Sequence, residues 1–337
     1  MVRRRFFASF AAAATVLALL LTSSPAFAAA SSGAGNALSI SPVRQDLVIK
    51  AGATDIVDVY VQNLTAQTIT LQGIVNDFTA STDESGAPAI ILNPNQYAPS
   101  HSLKHYVAPL GDFTLKANQR EDVKVTIAIP KGTAGGGYYG AIRFVSASSS
   151  SGKNVTLSAS VGSLILVTVP GNLKEDVNVS GFDVEKESKS GSFSPGSFFL
   201  SNKSLDGVVR FQNEGNVQEE PFGTIILKKG NKVLGTYQVN NTTPRGNVLP
   251  DSIRKFSIPL THLGSFGKYT LEGNFGYGTT GQLLTASTTF YIVPGVVIAT
   301  AIIVVLLILF AIFGLPRMIR AYNRNVIRNA TAKNKRK

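Results

Sequence analysis

Apolar and polar residues alternate along most of this chain. Between Asp122 and Ile129, the residues Val123, Val125, Ile127 and Ile129 fall on one side and Asp122, Lys124 and Thr126 on the other. From Ile56 to Asn63, Val57, Val59 and Val61 share a face opposite Asp58, Tyr60 and Gln62. The pattern returns at Tyr269, Leu271, Phe275 and Tyr277, and again at Leu284, Ala286, Phe290 and Ile292. A period of two with one polar face belongs to antiparallel strands that bury one side only. Turn-forming groups separate the runs at Lys50-Ala51-Gly52, Asn63-Leu64-Thr65, Lys116-Ala117-Asn118, Asn213-Glu214-Gly215-Asn216 and Lys229-Gly230-Asn231. These features predict an all-β body of packed sandwiches. A break at Val169-Pro170-Gly171, with a polar stretch at Glu185 to Ser197 after it, places a first β-sandwich at residues 38–170 and a second at 171–291.

Two stretches depart from the alternation. Residues 1–28 read as a signal peptide: Arg3, Arg4 and Arg5, an apolar core from Phe6 to Leu21, the breaker Ser23-Ser24-Pro25, then Ala26-Phe27-Ala28. Small side chains at Ala26 and Ala28 suit a signal peptidase, so cleavage after Ala28 is expected, with residues 29–37 left as a spacer. Arg3-Arg4-Arg5-Phe6-Phe7 also partly matches a twin-arginine signal, which leaves both export routes open. The second stretch, 292–315, carries no charge. As a helix it covers about 36 Å, enough for a bilayer core of about 30 Å, and it is read as a transmembrane helix. The tail 316–337 holds Arg317, Arg320, Arg324, Arg328, Lys333, Lys335, Arg336 and Lys337 and no acid. By the positive-inside rule this predicts a single-pass protein of the cell membrane, with an extracellular ectodomain and a cytoplasmic C-terminus.

Charge then changes meaning. The formal net charge is +12, yet the eleven basic residues at the two ends account for all but one unit of it. The body is nearly neutral, and nucleic-acid binding loses its support. With no Cys, the chain has neither disulfides nor a thiol nucleophile.

The candidate chemistry is sparse. His101 and His105 have the spacing of a metal pair on a helix, but they lie between Asn93-Pro94-Asn95 and Pro109, which favours a loop, and no metal site is predicted. Asp77, Asp83 and Glu84 beside Gly86 offer oxygen ligands without the Asp-x-Asp spacing of a calcium loop. Glu219 and Glu220 are adjacent, so on a strand their side chains diverge and cannot flank one bond. No nucleophile elbow or phosphate loop is present, so neither an enzyme nor a cofactor is expected. The segment Gly135 to Gly140 is the main binding candidate: Gly137 permits close approach, and Tyr138 or Tyr139 offers a flat face for a sugar ring. Neighbouring tyrosines on a strand face opposite ways, so only one of them can be a platform; the alternative is a bulge leading into a core strand. Tyr97 and Phe78, on expected loops, are weaker candidates of the same kind.

Several segments resemble a known family. Ser41-Pro42-Val43-Arg44-Gln45, the strand pair from Val57 to Phe78 with the loop Asn76-Asp77-Phe78-Thr79-Ala80, and Gly137-Tyr138-Tyr139-Gly140-Ala141-Ile142 are similar to the first domain of the WxL-interacting cell-surface proteins of Gram-positive bacteria. Val208 to Asn216, Val248-Leu249-Pro250-Asp251-Ser252 and Gly267-Lys268-Tyr269-Thr270-Leu271 resemble strands of bacterial surface sandwiches. The resemblance implies two tandem immunoglobulin-like β-sandwiches, the first binding peptidoglycan and the second a partner protein. Tyr138-Tyr139 departs from the aliphatic run expected there. The leading expectation is thus a membrane-anchored adhesin or scaffold whose partners are cell-wall glycan or a surface protein of WxL type, with one helix in the lipid bilayer. The alternative is a structural spacer or subunit of an envelope complex that works by edge-strand pairing.

Overall fold

The computed structural model describes residues 37–146, 160–188 and 191–334, with backbone alone at 326 and 328–334. The expected signal peptide with Ala26 and Ala28, most of the spacer, and Lys335, Arg336 and Lys337 lie outside the described residues, as do the side chains of Arg328 and Lys333.

The first half of the body contains β1 (Leu38–Ser41), β2 (Arg44–Val48), β3 (Thr54–Asn63), β4 (Ile69–Ala80), β5 (Pro88–Ile90), β6 (Asp112–Leu115), β7 (Arg120–Ala128), β8 (Gly136–Ser146) and β9 (Ser160–Val169). One sheet runs β1-β3-β7; the facing sheet runs β2-β9-β8-β4-β5, with β6 also paired to β4. The chain crosses between sheets at Pro42-Val43, since β1 pairs antiparallel with β3 and β2 parallel with β9. Between the layers lie Val57, Val59, Val61, Leu71, Val125, Ile127, Phe144 and Ile165. The alternation therefore marked the inward face, and each such fully buried aliphatic side chain stabilises the fold by about 1.5–3 kcal/mol.

The second half contains β10 (Val177–Glu187), β11 (Phe193–Pro195), β12 (Phe198–Phe199), β13 (Leu205–Asn213), β14 (Phe222–Lys229), β15 (Lys232–Val239), β16 (Ser252–Pro259), β17 (Gly267–Tyr277) and β18 (Gln282–Ile292). Its sheets run β11-β10-β13-β16 and β12-β18-β17-β14-β15. Phe211 packs edge-on against Phe275 at 5.0 Å, and Tyr269 stacks on Phe290 at 5.4 Å, filling the centre. Both sandwiches are immunoglobulin-like, and both close a turn with a buried asparagine. Asn63 donates to the carbonyls of Gln67, Leu115 and Lys116, and Asn213 to those of Val217 and Val248.

Three local expectations change. Asn76 to Ala80 is the end of β4 rather than a loop, because it pairs with β5 and β8. Glu185 to Glu187 belongs to β10, where it pairs with β13 and β11 inside the second sandwich. The helix does not stop at Leu315: α1 (Gly295–Leu309) and a π turn (Phe310–Gly314) lead into α2 (Leu315–Asn334). Among the described residues this is one helix long and apolar enough to cross a membrane, judged by length and composition.

Candidate functional site

The glycine-tyrosine segment sits on β8 at the joint between the sandwiches. Tyr139 is buried, its ring 5.9 Å from that of Phe78, and its hydroxyl donates to Oε1 of Gln218 in the second sandwich at 3.0 Å. Burial pushes its phenol far above the ordinary range. Phe78, Tyr139, Ala141 and Leu166 form a small apolar cluster that continues onto Leu249 across the joint. Gly137 donates its N–H to the Asn216 carbonyl at 2.8 Å, and a Cβ there would lie 2.0 Å from the Tyr139 hydroxyl. Its lack of a side chain serves the contact between sandwiches. Tyr138 faces the other way, half-buried against Tyr106 at 5.5 Å, and its hydroxyl donates to the Ala134 carbonyl. Burial raises its pKa as well. Tyr97 alone of the five candidate binding residues remains open, 44% exposed, stacked on His105 at 4.0 Å with the Lys104 ammonium over its ring.

Charged residues join the two sandwiches on either side of this cluster. Arg44 on β2 pairs with Asp46 at 2.8 Å and Glu220 at 2.7 Å, and donates to Oδ1 of Asn247 and the Arg245 carbonyl. Burial opposes its charge, but the hydrogen bonds to Asp46 and Glu220 outweigh that and leave the pKa raised. On the other side, Glu84 in the β4–β5 connection binds Arg210 at 2.8 Å, and its carbonyl accepts from the Lys255 N–H. Gly86 lets this connection approach Arg254; a Cβ would meet the guanidinium at 2.1 Å. Arg254 donates to the Asn247 carbonyl, and its Nε has no partner. Burial, then repulsion from Arg44, lowers its pKa. Arg44, Gly86, Asn247 and Arg254 border a cavity of about 110 Å³ whose apolar wall includes Phe78, Leu164, Leu166 and Leu249. Nothing in the local sequence around Arg44, Gln218, Glu220 and Arg254 marks them as parts of a joint made between distant strands.

The acidic candidates are occupied by the fold. Asp77 accepts hydrogen bonds from Ala98 N–H, the Ser102 hydroxyl and Lys104 N–H, so it pins the loop bearing His101. Asp83 is held down to about 2 by the hydroxyls of Ser81 and Ser85, then by the Ser85 N–H. Glu219 and Glu220 diverge as the strand geometry required: Glu220 meets Arg44, while Glu219 is buried and accepts from Gly278 N–H at 3.0 Å. Burial first, and Glu175 second, push Glu219 up to about 7. Among the described residues no three His, Cys, Asp or Glu side chains are grouped to hold a metal. Glu220 is thus bound to an arginine, and Glu219 and Glu175 to backbone N–H groups.

One sheet border differs from the others. β18 pairs with β17 along its whole length, but with β12 only at Tyr291 and Ile292, and among the described residues no strand pairs with the outer side of 283–289. Tyr291 and Val293 donate outward to Ser197 and Phe199. Alternation then points the N–H groups of Leu283, Thr285, Ser287 and Thr289 the same way. β18 carries no charge and no proline, and Leu283 is 83% exposed. Elsewhere the borders are protected by charge on β2, β7, β15 and β16, by proline on β5 and β11, or by shortness on β1 and β12. β10 of the facing sheet runs alongside β18, but its strand pairing goes to β11 and β13.

No family model and no curated protein matches the chain. Among solved structures it is similar to the class 5 fimbriae chaperone CfaA, at 13% identity over 76% of this chain and 99% of that one, with a TM-score of 0.36. The Salmonella enterica SafA pilin in complex with the SafB chaperone gives 13% identity over 76% and 95%, with a TM-score of 0.33. The E. coli chaperone DraB gives 16% over 75% and 96%, with a TM-score of 0.31. At these scores the likeness assigns no activity. The expected resemblance to WxL-interacting proteins is withdrawn: no family model matches the chain, and the solved structures named here are of fimbrial chaperones or their complexes. The peptidoglycan-binding adhesin and the WxL-type partner, which stood on that resemblance, are withdrawn with it. The expected placement at the cell surface, with an extracellular ectodomain and a cytoplasmic C-terminus, is withdrawn too: the helix qualifies as a span by length and composition only.

Proposed function

We propose that this chain is a non-catalytic protein-binding module that takes an extended segment of a partner protein as an added strand on the border of β18. The observation carrying this reading is the uncharged stretch 283–289, whose outward N–H groups meet no strand among the described residues. Backbone groups supply affinity in such a contact, and the exposed side chains of Leu283, Thr285 and Ser287 supply selectivity. The contacts of Tyr139, Arg44 and Glu84 across the joint hold the two sandwiches together while the border is used. β18 ends at Ile292, just before α1 begins at Gly295. The reading takes α1, fifteen residues without a charge, as a segment for a lipid bilayer, with the border beside it.

The test is photo-crosslinking in cells producing the full chain, with the crosslinker at Thr285 and a control at Val233 on β15. A discrete adduct with a second protein is expected from Thr285 and not from Val233. Ser287→Pro, which deletes an outward N–H and leaves the β17 ladder intact, should abolish the adduct without changing the circular dichroism. Equal adducts at both positions, or an adduct that survives Ser287→Pro, would refute the proposal.

A further inference from the structure

The residues Gly295 to Gly314 span about 30 Å as a helix, the thickness of a bilayer core, so α2 starts where the hydrocarbon ends. α2 is not basic all round. At about 100° per residue, Leu315, Met318, Ile319 and Tyr322 fall within an arc of roughly 100°, and Arg317, Arg320 and Arg324 within roughly 60° on the opposite side. The sequence continues the same spacing at Val326 and Arg328, whereas Lys333 falls back on the apolar side, so the segregation covers 315–328. Met318, Ile319 and Tyr322 are exposed, and of the large apolar residues described in α2 only Ile327 lies off their face. No acidic residue occurs after Glu272. Charges scattered around the helix would suffice to stop it at a membrane boundary; segregation means that two different surroundings meet α2 over 315–328.

From this segregation we infer that α2 lies along an anionic lipid surface, with Leu315, Met318, Ile319 and Tyr322 in the acyl boundary and the arginines among the headgroups. Continuity with α1 argues for lipid, and the run of arginines with no acid argues for anionic headgroups. The means of reorientation is at the junction. Pro316 has no N–H, and the turn before it widens so that Leu315 N–H reaches back to the Phe310 carbonyl. A π turn followed by proline is the weakest point of a helix and the usual place for it to bend.

This inference rests on the reading of α1 as a bilayer segment, and the experiment separates the two. Because the chain has no Cys, single variants of the full-length protein can each carry one nitroxide: Ile303→Cys, Met318→Cys, Arg320→Cys, Tyr322→Cys or Arg324→Cys. They are reconstituted into phosphatidylcholine vesicles with or without phosphatidylglycerol, and accessibility to oxygen and to an aqueous nickel complex is read. With phosphatidylglycerol, labels at 318 and 322 should become lipid-accessible while 320 and 324 stay aqueous, a contrast that is lost in pure phosphatidylcholine. Replacing Arg317, Arg320 and Arg324 with glutamine together should erase the contrast and leave 303 in lipid. If 303 is in lipid but all four α2 positions are equally aqueous, the inference fails alone. Spin–spin broadening at 318 and 322 would overturn it in favour of pairing with a second copy. An aqueous 303 would overturn the bilayer reading and this inference with it.

Discussion

Glu219 makes the stability of the second sandwich depend on pH in the direction opposite to most carboxylates. Its side chain is 5% exposed, beside the turn where Gly278 N–H donates to it and where Glu175 binds Thr279. In the fold its carboxyl holds its proton up to about pH 7, against an ordinary 4.5 in the unfolded chain. Between those values the native state binds more protons than the unfolded one, so stability falls as pH rises from about 4.5 to about 7 and is level above. At about 1.4 kcal/mol per pH unit the ceiling is roughly 3 kcal/mol. The groove beside Glu219, lined by Glu175, Tyr277 and Gly278, opens to water, and screening there reduces the effect to about 2 kcal/mol. Glu219→Gln keeps an acceptor for Gly278 and cannot ionise. Thermal unfolding of the full chain in detergent, followed by circular dichroism from pH 4.5 to 8.5, should show the two proteins converging at low pH. At pH 8 the variant should melt higher by roughly 6–8 °C. Parallel curves across the range would show that Glu219 is ionised in the fold and that the reasoning fails.

Arg210→Ala should cost about 3 kcal/mol in denaturant unfolding, because it leaves Glu185, 1% exposed, with only Lys255 at 3.5 Å. Adding Glu185→Gln should recover part of that loss; no recovery would mean that the buried charge is not the cause. Asn213→Ala should cost about 2–3 kcal/mol, since Gly215 N–H and the carbonyls of Val217 and Val248 lose their buried partner together, and a loss below about 0.5 kcal/mol would contradict this. Tyr139→Phe should cost about 1 kcal/mol by deleting the hydrogen bond to Gln218 and leave the chain's small-angle scattering profile unchanged, as the joint keeps its remaining contacts.

Much of the fold was legible in the sequence. The period-two runs at Val57, Val59 and Val61 and at Val123, Val125 and Ile127 became β3 and β7 with their apolar residues turned inward. The turn groups lie between strands, and the uncharged run after Ile292 became a helix. Alternation works because a side chain's face follows from its own strand's geometry, with no reference to a neighbour. The basic tail was visible as charge, but its amphipathic face appears only once the residues are placed on a helix that continues past Leu315.

What the sequence did not contain is which strand lies next to which. Phe78 and Tyr139 looked like surface candidates because glycine and aromatic residues suit both binding loops and crowded joints; the tertiary structure put them against Leu249 and Gln218. Glu219 and Glu220 read as an equivalent pair until one met Arg44 and the other was buried. The border of β18 has an ordinary strand sequence, and only the sheet order leaves its outer side open. By itself the sequence determined strand faces, turns and the apolar helix, which depend on residues close along the chain. Joint, buried acid and open border were decided by tertiary structure, because each depends on partners brought together from far apart in the chain.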